Sequence, residues 1–231
     1  MDVYDCFERA SMKTFLLALF LMASVQPGIQ ASASLCNQKG RTAAHPSQEV
    51  AELLAKLRPV VQGESITLAT EQTRKDVFNK ILSISRASDR SRRRSIATLA
   101  NTFNDDRTSA DTRIFIARLL SELKAVETLE LLVGHLDLRG TYASLSLTIR
   151  PMVDVVVRFG PIALPYLENA LSSDNISLRQ EACVALGLIG GEQAKRVLQG
   201  AAKKESNEDV MEYIKGGLSE IAIRERQKRG R

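Results

Sequence analysis

Aromatic residues are scarce in this 231-residue chain: they make up 5% of it, and tryptophan is absent. Ala, Leu, Ile and Val must therefore form the core, and side chains of this size suit closely packed helices better than a β-sandwich. Thirteen glycines and six prolines are too few for a collagen-like or proline-rich chain. With 44% hydrophobic and 26% charged residues, the composition is that of a globular protein, either one domain or a short repeat array.

Cysteine and histidine are also rare, which argues against a metal site or a disulfide framework. His45 and His135 are the only histidines, and neither has a histidine, cysteine or carboxylate at the spacing of a metal ligand. Cys183 lies in an alanine-rich segment and is predicted to be a small buried residue. Whether Cys36 pairs with Cys183 is left open. We predict no metal and no cofactor.

The start of the chain has the features of a signal peptide. Residues 15–25 form an apolar run that is too short to span a bilayer but has the length of a signal-peptide core. The triplet Ala31-Ser32-Ala33 then supplies the small residues that a signal peptidase accepts, and a start at Met12 gives the leader a positive charge. We therefore predict a signal peptide over residues 1–33 with its true start at Met12; the alternative is a buried N-terminal helix. The protein is expected to be exported, either periplasmic or secreted, with no transmembrane segment after cleavage near Ala33.

A repeated pattern of apolar residues begins at Arg113. Apolar residues follow Arg113 at positions +3, +6, +7 and +10, which lie on one face of a helix. The same pattern follows Arg150, Arg179 and Met211, and a weaker one follows Arg74, where Lys80 interrupts the apolar face. The starting residues lie 29 to 39 positions apart, which is the length of one helical hairpin. The positions predicted to face the core are Val77, Ile81, Ile84, Ile116, Leu119, Leu120, Leu123, Val153, Val156, Val157, Ala182, Ala185, Leu186, Ile189, Ile214, Gly217, Leu218 and Ile221.

A second apolar segment follows each of these helices and is predicted to be its hairpin partner. The second segments begin near Ile96, Val126, Leu164 and Ala194, and an additional helix is predicted ahead of them, with Ser47 as its N-cap. The turns of the hairpins are predicted at Gly160-Pro161 and Gly190-Gly191. Asp174 and Ser206 are the predicted N-caps of the hairpins that follow.

Three other segments have less regular patterns. Residues 58–70 and 137–147 are predicted to be loops. Residues 153–158 are β-branched and favour a strand locally. Their register with the flanking repeats predicts a helix instead, because a single strand in a stack of helices would have no partner.

The segment from Ala163 to Ile221 resembles HEAT repeats of the short bacterial type. The residues that carry the resemblance are Asp174, Leu178, Arg179, Ala182, Ala185, Leu186, Gly187, Ile189, Gly190, Ala194 and Leu198. The resemblance implies an all-α protein, a right-handed α-solenoid of about four HEAT-like helical hairpins whose second helices line a concave binding surface. Met211 in place of the usual arginine, and Lys80, depart from the pattern, so the first and last units are expected to be caps.

The resemblance also suggests a division of the chain. A polar segment with one capping helix is expected over residues 34–70, the repeat domain over 71–225 and a basic tail over 226–231. The arginines that start the repeats, Arg113, Arg150 and Arg179, are expected to be structural. Each is predicted to pair with helix-end carbonyl groups or with an acid such as Asp111.

No group of residues predicts catalysis. Ser121 and Lys124 have the spacing of serine–lysine acyl enzymes, but the accompanying Lys-Thr-Gly and Ser-Asp-Asn elements are missing. Ser121 is expected to lie at a solvated helix end. HEAT-like relatives include bilin lyases and base-excision enzymes, but the substrates of those enzymes are intracellular and this chain is expected to be exported. An enzyme is therefore kept only as a third possibility.

Two basic runs suggest an anionic partner. The first includes Arg90, Arg92 and Arg94, at the start of a helix where the helix dipole disfavours cations. Arg93 is expected at the edge of the core, which leaves Arg92 and Arg94 facing solvent. The second run lies at residues 224–231. No interleaved aromatic residues support nucleic-acid stacking, so no specific nucleic acid is expected.

The sequence thus favours an exported, non-catalytic scaffold that binds another protein through a solenoid surface. The alternative is an adaptor that docks on an anionic polymer or membrane surface through Arg90, Arg92, Arg94 and the basic tail.

Overall fold

A computed structural model describes residues 45–57, 68–140 and 150–229, all of which belong to one compact unit. The described residues contain ten α-helices and no strand, so the prediction of an all-α fold is confirmed for them. The predicted signal peptide, with Met12 and Ala33, lies outside these residues, as does Cys36. The helices are α1 (Pro46–Ala55), α2 (Leu68–Arg86), α3 (Asp89–Asn104), α4 (Ala110–Glu122), α5 (Leu129–Val133), α6 (Pro151–Val157), α7 (Leu164–Ala170), α8 (Ile176–Ile189), α9 (Gly191–Ala202) and α10 (Glu208–Arg229).

The even-numbered helices follow one another in space. The Phe78 ring of α2 meets the Phe115 ring of α4 edge-on, with their centroids 5.6 Å apart. Helix α4 contacts α6, α6 contacts α8, and α8 contacts α10. The pair α8 and α10 makes the most extensive contact of any two described helices.

The odd-numbered helices form a second series. Helix α1 contacts α3, α5 contacts α7, and α7 contacts α9. Phe103 of α3 and His135, just after α5, extend the series through an edge-on ring contact with centroids 5.1 Å apart. One continuous core of Leu, Ile, Val and Ala side chains lies between the two series.

The predicted core faces agree closely with the observed burial. Ile116, Leu119 and Leu120 of α4 and Leu123 directly after it are all buried, as predicted, and the corresponding residues of α6, α8 and α10 are buried or half-buried. Residues 151–157 form helix α6 in spite of their β-branched sequence. Burial of Val153, Val155 and Val156 among neighbouring helices outweighs the weak strand preference of these residues. None of the helices in the described ranges combines the length and hydrophobicity that a membrane-spanning helix needs.

Three predicted N-caps are wrong by one or two positions. Asn175 and Asn207, not Asp174 and Ser206, accept the hydrogen bonds from Leu178 N–H and Val210 N–H, and asparagine is among the best N-cap residues. Helix α1 begins at Pro46, because proline is preorganised for the first helical position, and Ser47 therefore lies within the helix.

Two predicted boundaries also differ. Helix α2 begins at Leu68, within the predicted loop of residues 58–70. Residues 226–229, assigned to a separate tail, continue α10 as far as Arg229.

Candidate functional site

The basic run at residues 90–94 forms the first turns of α3, and its side chains do not point as predicted. Arg90 and Arg93 are exposed, whereas Arg92 and Arg94 are half-buried. Arg92 Nη2 donates to Leu123 O at 2.6 Å and to Lys124 O at 3.2 Å. The predictions that Arg93 lies at the core edge and that Arg92 faces solvent are therefore wrong.

The carbonyl groups at the end of α4 explain the position of Arg92. The last carbonyls of a helix have no partner within it, and the helix dipole favours a cation there. Two further contacts repeat this arrangement: Lys124 Nζ donates to Arg158 O at 2.8 Å, at the end of α6, and Arg224 Nη1 donates to Leu188 O, in the last turn of α8. Basic side chains thus bind the C-terminal carbonyls of three successive even-numbered helices.

Replacing Arg92 is therefore expected to affect stability, although it lies in a surface run of arginines. Arg92→Gln removes a charged donor from two carbonyl groups and is expected to lower the free energy of unfolding by about 1–2 kcal/mol. Arg93→Gln is the matched control, and as an exposed substitution it is expected to stay within about 0.5 kcal/mol of wild type. Urea denaturation of both variants checks this. Equal stabilities would contradict the assigned role of Arg92.

Two of the repeat arginines donate hydrogen bonds to backbone carbonyl groups of the loop that precedes their helix. Arg113 Nη2 donates to Asp105 O at 3.0 Å, and Arg179 Nη1 donates to Ser173 O at 2.8 Å. The acidic partner is Asp106 for Arg113 and Glu205 for Arg179, so the suggested pairing with Asp111 is not the one observed. Both arginines thus bind a backbone carbonyl group and an acidic side chain.

Arg150 has a different role, because it reaches across three even-numbered helices. It precedes α6, its Nη1 donates to the buried Glu181 of α8 at 3.2 Å, and its Nη2 lies 3.4 Å from the hydroxyl oxygen of Tyr213 in α10. Arg139 binds the other carboxylate oxygen of Glu181. A buried carboxylate requires such partners, so this cluster fixes the positions of α6, α8 and α10 relative to one another.

An open cleft lies between α7 and α9. It has a volume of about 490 Å³. Its rim carries the exposed polar residues Glu168, Asn169 and Lys204, and its walls include apolar residues such as Val197 and Ile214. The cleft thus offers both apolar surface and hydrogen-bonding groups.

The ion pair of Arg179 and Glu205 forms part of the cleft wall. Arg179 Nε donates to Glu205 Oε2 at 2.9 Å, and both side chains are largely buried. Burial by itself raises the pKa of Glu205. The hydrogen bonds from Asn207 N–H, Arg179 and Ser206 N–H outweigh it and hold the pKa below the ordinary value of 4.5.

This lowered pKa predicts a pH-dependent contribution to stability. A carboxyl group with a lower pKa in the folded state stabilises the protein above its unfolded pKa, and the contribution is lost as pH falls through the folded pKa. Glu205→Gln is expected to lower the free energy of unfolding at pH 7 by about 1–2 kcal/mol, with the difference from wild type shrinking below about pH 4.5. Glu168→Gln, on the exposed rim, is the control and is expected to match wild type. Denaturant titrations at neutral and acidic pH test this, and a difference that does not depend on pH would contradict it.

A second groove, of about 410 Å³, lies between α8 and α10. Val184, Leu188 and Tyr213 form its walls, and Gly187, Gly216 and Gly217 also line it. Glu212 and Glu220 are its charged residues. Neither this groove nor the cleft could be predicted from the sequence, because each combines residues from separate repeats.

Residues considered for catalysis have structural roles. The His135 ring packs on Phe103, and its Nδ1 lies 2.9 Å from Leu131 O. Ser121 is buried, so its predicted solvated position is wrong, and Lys124 is bound to Arg158 O. Burial raises the pKa of the Cys183 thiol to about 12, so this thiol is protonated at neutral pH. Across the described ranges no three His, Cys, Asp or Glu residues form a group that could hold a metal ion.

The described helices therefore define an all-α fold, and its surface includes these two open grooves. No protein-family model matches the chain, and no curated protein matches it.

Proposed function

We propose that this chain is an exported, non-catalytic scaffold that binds another protein through a right-handed α-solenoid of about four HEAT-like hairpins. The contacts that link even-numbered helices in one series and odd-numbered helices in the other support this arrangement. Repeat proteins bury their apolar faces against neighbouring repeats in this way. The four hairpins are α2–α3, α4–α5, α6–α7 and α8–α9, with α1 and α10 closing the ends.

The cleft between α7 and α9 is the observation that carries the binding function. Both helices are second helices of their hairpins, which the resemblance to HEAT repeats makes the binding side. Gly200 of α9 lines the cleft, and a Cβ there would meet no atom within 4 Å. Glycine is unfavourable within a helix, and the open space above Gly200 admits a partner close to the backbone.

A capture experiment with a blocked cleft tests this function. Gly200→Arg fills the cleft without a clash at Cβ, and Ser83→Arg places the same side chain on the exposed surface of α2 as a control. Wild type and Ser83→Arg are expected to retain the same protein from the native compartment, and Gly200→Arg is expected to lose it. Equal retention by all three would rule out the cleft, and no retained protein would contradict the scaffold.

Export is supported by the apolar run of residues 15–25 and by Ala31-Ser32-Ala33. N-terminal sequencing of the purified protein is expected to begin at Ser34 or within about two residues of it. An intact start at Met1 or Met12 in the cytosol would contradict export.

Docking on an anionic polymer is a second candidate function, and the exposed arginines of α3 favour it. Arg90 and Arg93 are exposed, and no hydrogen bond or ion pair of their side chains is present within the described ranges. Because Arg92 caps α4, the triple variant that tests this function is Arg90→Gln/Arg93→Gln/Arg94→Gln. Weaker retention on heparin, with a shallower dependence on salt, is expected if this surface binds anions. Unchanged retention would contradict docking on an anionic polymer and leave protein binding as the single candidate function.

A further inference from the structure

One face of α10 carries an exposed stripe whose members lie three or four residues apart along the helix, except that Ala222 and Ile223 are adjacent. Such a spacing keeps side chains on one side of a helix and forms the seam of paired helices. Every member of the stripe is exposed. The stripe consists of Asp209, Glu212, Gly216, Ser219, Ala222, Ile223, Arg226 and Arg229.

The charges along this stripe are arranged symmetrically about Ser219. Glu212 and Arg226 each lie seven residues from Ser219, and Asp209 and Arg229 each lie ten residues from it. The acidic residues stand at the start of the helix and the basic residues at its end. Neither Glu212 nor Arg226 makes a hydrogen bond or ion pair with another residue in the described parts of the chain.

Small residues occupy the middle of the stripe. Gly216, Ser219 and Ala222 present little side chain, and the distance between two packed helices depends on the side chains at their contact. A Cβ at Gly216 would meet no atom within 4 Å, so packing within one chain does not require glycine there. Glycine is nevertheless unfavourable in a helix, and its lack of a side chain leaves room for a second helix to pack closely there.

We propose that this stripe pairs with the same stripe of a second copy, with the two α10 helices antiparallel about a twofold axis at Ser219. Glu212 then faces Arg226 of the second copy, and the reverse pair forms at the other end, as in any isologous interface. Ile223, which is 46% exposed, faces the aliphatic stem of Lys215 from the second copy. This inference goes beyond the proposed function and does not depend on it.

A single pair of helices forms a small interface, so a concentration-dependent dimer is expected rather than a permanent one. Its ion pairs lie at the surface, and added salt is therefore expected to weaken it. Analytical ultracentrifugation of the purified full-length chain over a range of concentrations measures both effects.

Charge-reversal variants test the antiparallel arrangement. Glu212→Arg places two arginines opposite each other at both ends, and Arg226→Glu does the same with two glutamates. Each single variant is expected to weaken dimerisation about tenfold or more. The double variant Glu212→Arg/Arg226→Glu restores both ion pairs and is expected to regain most of the wild-type association. An equimolar mixture of the two single variants is expected to form heterodimers for the same reason.

Lys228→Glu is the matched control, because it reverses an exposed charge on another face of α10. It is expected to dimerise as wild type does, and thermal melting establishes that every variant is folded. A wild-type chain that stays monomeric at all concentrations would overturn the proposal. A double variant no better than the single ones would also overturn it, because the ion pairs would then not face each other.

Discussion

Leu186→Ala is expected to lower the free energy of unfolding by about 2–5 kcal/mol, the usual cost of truncating a filled core position. The Leu186 side chain is completely buried, as its place at +7 of the Arg179 pattern predicts. Helix α8 contacts α6, α7, α9 and α10, so a cavity at this position removes contacts within the best-connected part of the fold. Urea denaturation followed by circular dichroism measures the loss, and Leu186→Asp is expected to prevent folding.

Leu188→Ala is the matched control for Leu186→Ala. Leu188 lies two residues further along the same helix, but it lines the open groove between α8 and α10 and is only half-buried. Because the Leu188 side chain is already partly exposed to solvent, Leu188→Ala is expected to lower the free energy of unfolding by less than half as much as Leu186→Ala does. If the two variants were equally stable, the assignment of the inner face of α8 would be wrong.

The helices and their buried faces could be predicted from sequence because both depend on residues close together in the chain. The apolar spacing after Arg113 predicts the buried face of α4, and Lys80 is exposed, as its interruption of the Arg74 pattern suggests. The register of the repeat also predicts the structure of residues 153–158. Their β-branched side chains favour a strand locally, but their register with the flanking repeats predicts the helix that is observed.

The partners of charged residues could not be predicted, because they come from distant parts of the chain. Nothing in the sequence around Arg92 indicates that it binds Leu123 O, and the run of arginines there suggests a solvent-facing patch instead. Glu181 is another example, since a glutamate within an alanine-rich helix gives no sign that Arg139 and Arg150 surround it.

The stripe on α10 lies between these two cases. The spacing of its residues and the order of its charges can be read from the sequence. Whether these residues can contact a second chain depends on which face of α10 is exposed. Only the structure places Glu212, Gly216 and Arg226 together on an exposed face, while Ile214, Gly217 and Ile221 of the same helix are buried.

Gly217→Ala and Gly216→Ala are expected to change stability in opposite directions, although the two glycines are adjacent. A Cβ at Gly217 would lie 2.9 Å from Cys183 O and 3.0 Å from Leu198 Cδ1. The first of these atoms belongs to the backbone of α8, so the two helices must move apart, at a cost of about 1–3 kcal/mol. A Cβ at Gly216 meets no atom within 4 Å, and alanine there is expected to stabilise the helix by up to about 1 kcal/mol.

The comparison of these two variants isolates the steric cost of separating α8 from α10. Both substitutions give the same gain in helix propensity at neighbouring positions of one helix, so this gain cancels in the difference between their free energies of unfolding. Gly187→Ala tests the same contact between α8 and α10 from the α8 side. A Cβ at Gly187 would lie 2.8 Å from Gly217 Cα, so this variant is also expected to destabilise the fold. Denaturation in dilute solution measures all three. A Gly217→Ala variant as stable as Gly216→Ala would mean that α8 and α10 do not meet backbone to backbone at Gly187 and Gly217.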